Sequence, residues 1–246
     1  ALNRVLYVDP KKAILGNGIS WENAYGKGQI QTAIDAASVY YDVSDGGTEA
    51  ERRAYVFVKG LENKHTDEAL IMRNGVSLYG SIDPTYIKQV DGEVKEGETN
   101  VTYSNENIDA YLILMKADRE GMAMSEHTVV GSVKAGDNVD FCLFDGLEIG
   151  SGDGNEPAET TEPVVSLGQN STVALVNSVI NNNKVTGDAK LIENHSGLLY
   201  NVLVRDNGKA DVNLGADGYM LNCTLAGETG SWESLLSPDN SRSINN

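Results

Sequence analysis

The sequence predicts an all-β chain whose strands wind into a single-stranded parallel β-helix, and three observations lead to that prediction. Glycine is frequent, at 26 residues against 5 prolines, so the backbone has many places to turn. Strand-like segments followed by polar turn clusters recur in the second half of the chain, and one amphipathic helix precedes them. Together these features predict a solenoid whose first coil is covered by the helix.

The recurring segments each begin with Asp or Asn, and their first residues lie 32, 24 and 21 positions apart. They are Asp145-Gly-Leu-Glu-Ile, Asn177-Ser-Val-Ile-Asn, Asn201-Val-Leu-Val-Arg and Asn222-Cys-Thr-Leu-Ala. One such unit cannot bury its apolar side alone, whereas stacked units share a core. We therefore expect parallel coils, with the opening Asp or Asn at a left-handed corner where its side chain can hydrogen-bond the next coil. The predicted core residues are Leu147, Ile149, Val202, Val204, Cys223 and Leu225.

The alternative fold is an antiparallel β-sandwich of similar length. A sandwich would show two-residue hairpin signals every eight to twelve residues, and the repeats found here are more widely spaced than that. The spacing therefore favours the solenoid.

The first part of the chain contains the helix and three strands. A short strand ending in a turn is predicted over Arg4–Pro10, and further strands over Ala54–Lys59 and Gly75–Ile82. Between them, apolar residues at steps of three and four predict a helix over 28–41. We expect it to bury Ile30, Ile34 and Ala37 against the first coil, because an uncovered coil would leave apolar side chains and strand edges in water.

We expect a single domain over 1–246, divided into an N-terminal cap and first coil (1–60), irregular excursions (83–136), regular coils (139–230) and a C-terminal cap with a tail (231–246). A strand candidate at Ala110–Met115 lies in the excursions. The repeat spacing would bring another strand to about 243–246. We expect instead that Trp232 and Leu236 cover the last coil and that Asp239–Asn246 is a loosely held tail.

Charge and composition exclude several classes of function. A formal charge of −17 makes binding to nucleic acid phosphates or anionic lipid unfavourable, and no apolar run approaches the roughly 20 residues that membrane insertion needs. Two cysteines, Cys142 and Cys223, are too few for a disulfide framework, so buried free thiols are expected. The three histidines stand too far apart for a zinc site.

Several motifs resemble the N-terminal signature of pectin-lyase-like surface proteins of gut Bacteroidetes, which are right-handed parallel β-helices of adhesin type. They are Tyr7-Val-Asp-Pro, Gly18-Ile-Ser-Trp-Glu-Asn-Ala-Tyr, Gln29-Ile-Gln-Thr-Ala-Ile-Asp-Ala-Ala, Val58-Lys-Gly and Gly75-Val-Ser-Leu-Tyr-Gly-Ser, with Asp145-Gly-Leu-Glu-Ile-Gly and Asn222-Cys-Thr-Leu-Ala-Gly further along. The resemblance implies a right-handed helix with residues 28–41 as its N-terminal cap. It says little about activity, because this scaffold carries lyases, hydrolases and adhesins.

No catalytic residue and no cofactor is assigned from the sequence. Arg205 lies next to Asp206, which predicts a solvated surface pair rather than a lyase base. The Asp-Asp pair, Gly-His-Gly and Arg-Ile-Lys-like runs of β-helix galacturonases are not in the sequence. The loop Gly152-Asp-Gly-Asn-Glu-Pro is interpreted as an ordinary polar loop, with calcium binding as the alternative.

Two functional hypotheses remain. The first is a non-catalytic module outside the cell or on its surface, an adhesin or glycan-binding protein whose partner is an extracellular glycan or a host or cell-surface component. A signal removed upstream of Ala1 would allow anchoring to an outer membrane. The second is a polysaccharide lyase or glycoside hydrolase. Exposed aromatic side chains would favour glycan binding, but Tyr200, Tyr219 and Trp232 are interpreted here as core or cap residues.

Overall fold

The computed structural model describes residues 3–13, 16–43, 52–60, 68–82, 128–151, 156–208, 211–226 and 243–244. These residues form one helix and eighteen strands, and every pairing between the strands is parallel. The expected all-β class with one N-terminal helix is therefore confirmed.

Eleven strands form a large sheet in which consecutive segments of the chain lie side by side. Its path is β1 (Val5–Val8), β2 (Ala54–Lys59), β4 (Val76–Ile82), β7 (Cys142–Asp145), β11 (Val173–Asn181), β14 (Leu198–Arg205), β16 (Tyr219–Leu221) and β18 (Ser243–Ile244). Three further strands extend it on the far side of a bend: β5 (Thr128–Val130), β8 (Leu147–Gly150) and β17 (Thr224–Ala226).

Short strands form two smaller sheets. The five-stranded sheet contains β3 (Ala69–Ile71), β6 (Ser132–Ala135), β10 (Val165–Leu167), β13 (Ile192–Asn194) and β15 (Val212–Leu214). The two-stranded sheet contains β9 (Ala158–Thr160) and β12 (Asn183–Val185). From β6 onward, each strand of the five-stranded sheet is followed along the chain by a strand of the large sheet. We call one such passage a repeat.

The predicted core is confirmed. Leu147, Ile149, Val202, Val204 and Cys223 are buried in one continuous cluster, and Leu225 is half-buried against it. Residues 203–205 pair in parallel with 224–226, and residues 145, 148 and 149 pair with β11, which in turn pairs with β14. Consecutive repeats therefore stack with equivalent inward side chains in contact, as the repeat interpretation required.

The helix α1 (Ile30–Val43) covers the beginning of this core. Ile30, Ala33, Ile34 and Ala37 are fully buried in the same cluster as residues of β1 and β2, which confirms the predicted apolar stripe. Gln31 also fixes the helix to β3: its Nε2 donates to the Ile71 carbonyl (3.0 Å), and the Ile71 N–H donates to Gln31 Oε1 (2.7 Å). Since β3 ends the five-stranded sheet, the carboxamide takes the place of a missing neighbouring strand.

Buried amides hold the second bend of the repeats together. Asn183 and Asn207 lie in consecutive repeats and are almost fully buried. Asn183 Nδ2 lies within donating distance of the carbonyls of Ile149 (3.1 Å) and Asn181 (2.9 Å) and of Asn207 Oδ1 (2.9 Å). Side chains thus satisfy backbone groups at a point where the strands stop.

The predicted irregular excursions over 83–136 are wrong for the last residues of that range, and residues 83–127 lie outside the described residues. Residues 128–130 and 132–135 are strands β5 and β6, which pair with β8, β3 and β10. Three or four residues are too few to show an alternation pattern, which is why the sequence did not reveal them. The strand candidate Ala110–Met115 lies outside the described residues.

Ser81 and Thr128, which lie on either side of the residues that are not described, are joined by reciprocal hydrogen bonds. The Ser81 N–H donates to Thr128 Oγ1 (2.7 Å), and the Thr128 N–H donates to Ser81 Oγ (3.0 Å). Ser81 Oγ also donates to the Gly146 carbonyl in the next repeat (2.6 Å). Residues 81 and 128 therefore meet as neighbours in one repeat, whatever lies between them in sequence.

At the C-terminus, the expectation of a loose tail is wrong for two residues. Ser243 and Ile244 pair in parallel with Met220 and Leu221, where the repeat spacing alone would have placed the next strand. Trp232 and Leu236, expected to cover the last repeat, lie outside the described residues.

The half-buried carboxylate of Glu68 sits at the N-terminus of α1. The Gln31 N–H donates to Glu68 Oε1 (3.3 Å), while Oε2 is buried without a hydrogen-bond partner among the described residues. Desolvation therefore raises the pKa of Glu68 above its ordinary value of 4.5, although the N–H groups at the start of the helix oppose the shift.

We expect Glu68→Gln to raise the melting temperature at neutral pH. The folded state holds the Glu68 proton more tightly than the unfolded state, so the stability of the wild-type protein falls as the pH rises through the raised pKa. Glutamine is neutral throughout, so its advantage should vanish below pH 4.5. Thermal melts from acidic to neutral pH test this. Asp217→Asn, at an exposed position, removes the same charge from the total of −17 and controls for net charge. An advantage for Glu68→Gln that does not change with pH would contradict the assignment.

Candidate functional site

A row of asparagines marks the first bend of the large sheet. The backbone is left-handed at Asn177 (φ 48°), Asn201 (φ 55°) and Asn222 (φ 53°), which occupy the same register position in consecutive repeats. Asparagine tolerates this conformation better than most residues, so the predicted corner role is confirmed for all three. We call Asn177, Asn201 and Asn222 the amide row.

The predicted alignment is wrong by one residue in the first repeat. Asp145 pairs with Val176, so Gly146 (φ 73°), rather than Asp145, is opposite Asn177. Glycine adopts the left-handed backbone at this corner without strain, and the carboxylate of Asp145 lies at the position before it.

Hydrogen bonds run along the amide row in one direction. Asn201 Nδ2 donates to Asn177 Oδ1 (2.8 Å), and Asn177 Nδ2 donates to Asp145 Oδ1 (3.2 Å). Each carboxamide nitrogen carries two hydrogens, so these bonds use only one of the two on Asn177 and Asn201. The row thus retains donor capacity, and both Asn201 and Asn222 are exposed.

Apolar side chains lie beside the amide row, on the outer side of the large sheet. Alternation points Leu199 and Met220 into the core and turns their neighbours outward. Tyr200 is 44% exposed and Tyr219 37%, so their interpretation as core or cap residues is wrong. We call this surface the tyrosine face, and it consists of Ala174, Val176, Leu198, Tyr200, Tyr219 and Leu221.

The same side of the sheet is closed at its N-terminal end. Tyr7, Phe57 and Tyr79 lie in one row across β1, β2 and β4, with ring centroids 5.9 and 5.7 Å apart, and all three are buried. Trp21 packs on Tyr7 at 4.9 Å. Among the described residues on this side of the sheet, exposed aromatic rings therefore occur only in the later repeats.

The chain matches none of the family models, curated proteins or solved structures with which we compared it. The resemblance to pectin-lyase-like surface proteins therefore stays a prediction. What the chain can bind has to be argued from its own surfaces.

The outer side of the five-stranded sheet carries a second row of side chains, most of which are polar. Ile71, Lys134, Ser166, Glu193 and Asn213 share one register position. The Lys134 ammonium contacts the Glu162 carboxylate (2.8 Å) and lowers the pKa of Glu162. A lyase base has to accept a proton from its substrate, whereas the Lys134 amine is engaged with the Glu162 carboxylate. This row also offers Glu193 alone rather than the pair of carboxylates that glycoside hydrolysis requires.

The remaining residues singled out in the sequence are Arg205, the two cysteines and the candidate calcium loop. Arg205 contacts Asp206 (3.1 Å), which confirms the surface pair. Cys142 and Cys223 are buried free thiols, as expected, and burial raises the pKa of Cys142 to about 12. Residues 152–155 of the candidate calcium loop lie outside the described residues. Elsewhere in the described chain, no group of three or more His, Cys, Asp or Glu side chains could hold a metal ion. The one described helix, α1, is not long and apolar enough to cross a membrane.

Proposed function

We propose that this chain is a non-catalytic glycan-binding module displayed outside the cell, and that its binding surface is the tyrosine face with the amide row. One observation carries the proposal: two tyrosines are exposed at diagonal positions of neighbouring strands, on an uncharged sheet surface that is bordered by amides. Aromatic rings stack on the apolar faces of sugars, and carboxamides hydrogen-bond their hydroxyl groups.

We also propose that the parallel sheets are faces of a right-handed parallel β-helix of the pectin-lyase-like kind. The stacking of equivalent residues in consecutive repeats supports this, as does the alternation of the chain between the five-stranded and the large sheet. Parallel crossover connections are right-handed in the great majority of sheets. A crystal structure with left-handed winding would contradict the proposal.

The net charge favours a neutral glycan over an anionic one as the ligand. Seventeen excess negative charges repel uronate and sulfated polymers, and the tyrosine face offers no cation to offset that repulsion. A neutral glycan meets no such barrier.

Replacing Tyr200 by alanine should weaken binding to a neutral polysaccharide about fivefold, because a stacked aromatic contact is worth about 1 kcal/mol. Tyr200→Phe should keep most of the affinity, since the ring is retained. Affinity gel electrophoresis against a panel of soluble neutral polysaccharides measures both. Ile19→Ala removes an equally exposed apolar side chain elsewhere and serves as the control.

Unchanged binding in Tyr200→Ala would remove the tyrosine face from the site. Sugar fragments released from the bound polysaccharide would contradict the non-catalytic part of the proposal.

A further inference from the structure

We infer that the ligand of the tyrosine face is an extended, uncharged β-1,4-linked hexosan, and that it lies along the coil axis with one sugar unit on each coil. This rests on the proposed function and specifies the class of glycan and its direction on the surface.

The surface repeats one chemical unit per coil. An outward apolar side chain precedes each amide, as Val176-Asn177, Tyr200-Asn201 and Leu221-Asn222. A hexopyranose in an extended chain has the same two features, a ring with an apolar face and hydroxyl groups at its edge. One coil therefore complements one sugar.

The distance between units also fits. Neighbouring strands lie about 4.8 Å apart, so the amides repeat at that distance along the axis. This is close to the length that one sugar takes up in an extended β-1,4-linked chain. An α-1,4-linked chain of the same sugar curves, and it would leave a straight row after one or two contacts.

The amide row offers donors in the required place. Its internal bonds use one hydrogen on each of Asn177 and Asn201 and leave the second without a partner among the described residues. The bonds hold these carboxamides in fixed orientations before a ligand arrives, which lowers the entropy lost on binding. A chain parallel to the axis would meet one such donor per sugar.

Charge restricts the sugars to uncharged ones. Every position of the tyrosine face and the amide row is an apolar residue, a tyrosine or an asparagine. The nearest carboxylate of the preceding coil, Asp145, is buried and accepts a hydrogen bond from Asn177. Neutral hexosans can approach this surface without losing the hydration of a charged group.

The test is isothermal titration calorimetry with cello- and manno-oligosaccharides of two to six units, and with malto-oligosaccharides of the same lengths. We expect affinity for at least one of the β-1,4-linked series to rise with length up to three or four units and then level off. Malto-oligosaccharides should bind at least tenfold more weakly. Asn201→Gly keeps the left-handed backbone and removes the amide, so it should weaken binding of the longer oligosaccharides about fivefold.

Asn170→Gly is the matched control. Asn170 is also exposed and left-handed (φ 53°), but it lies before β11, away from the amide row, so its removal should leave affinity unchanged. Equal effects of the two variants would overturn the inference. Binding that requires Tyr200 but does not depend on chain length or linkage would also overturn it, while leaving the proposed function intact. Failure to bind any neutral glycan would overturn both.

Discussion

Replacing Ile34 by aspartate should unfold the protein or cause it to aggregate. Ile34 has no solvent exposure and packs in the cluster that α1 shares with β1 and β2. Burying an unpaired carboxylate there costs several kcal/mol, which is comparable with the roughly 5–15 kcal/mol that stabilises a whole domain. Because α1 covers the first repeat, the loss would also uncover the apolar end of the core.

The measurement is thermal unfolding by circular dichroism together with size-exclusion chromatography. Val39→Asp provides a matched control, since Val39 lies on the same helix and is 46% exposed. The control should melt within about 2 °C of the wild-type protein, since exposed substitutions change stability by about 0.5 kcal/mol or less. Normal melting of Ile34→Asp would mean that the helix does not cover the core.

Replacing Asn183 by alanine should lower the melting temperature by about 10 °C. The substitution removes the amide that bonds to Ile149, Asn181 and Asn207, and each buried polar group deprived of its partner costs about 1–3 kcal/mol. A total loss of about 3 kcal/mol corresponds to that shift in a chain of this size. Asn213→Ala, at an exposed position in β15, should have little effect.

A double-mutant cycle separates the amide–amide bond from the bonds to the backbone. Asn207→Ala removes the acceptor of one of the three bonds, so the effects of the two substitutions should not add. Strictly additive losses would mean that Asn183 and Asn207 act independently. That result would contradict the hydrogen bond between Asn183 Nδ2 and Asn207 Oδ1.

The long elements of this fold could be predicted from the sequence because they carry a periodic pattern. Helix α1 shows the spacing of an apolar stripe, and β2 and β4 contain several β-branched and aromatic residues within six or seven positions. The five-stranded sheet could not be predicted, since its strands β3, β10, β13 and β15 have three residues each. Parallel pairing, and not local sequence, defines strands of that length.

The candidate site was predicted only in part. The left-handed asparagines follow from residue type and repeat position, so Asn177, Asn201 and Asn222 could be identified. The one-residue offset in the first repeat could not be predicted, because the alignment matched Asp145 with the asparagines by residue type. Glycine adopts the left-handed corner even more readily than asparagine, and Gly146 occupies it. Tyr200 was misread because its residue type fits either a core or a surface. Alternation with the neighbouring Leu199, which is buried, is the signal that could have shown it to be exposed.

The joint between Ser81 and Thr128 bears on how freely a chain of this kind can change its length. Because both ends of residues 83–127 are fixed at one point by reciprocal hydrogen bonds, the repeat closes on itself without help from the intervening sequence. The entropy of closing a loop grows only with the logarithm of its length, about 0.6 kcal/mol for each doubling. We therefore expect an insertion between residues 81 and 128 to cost little stability and to leave the register of the repeats on either side unchanged.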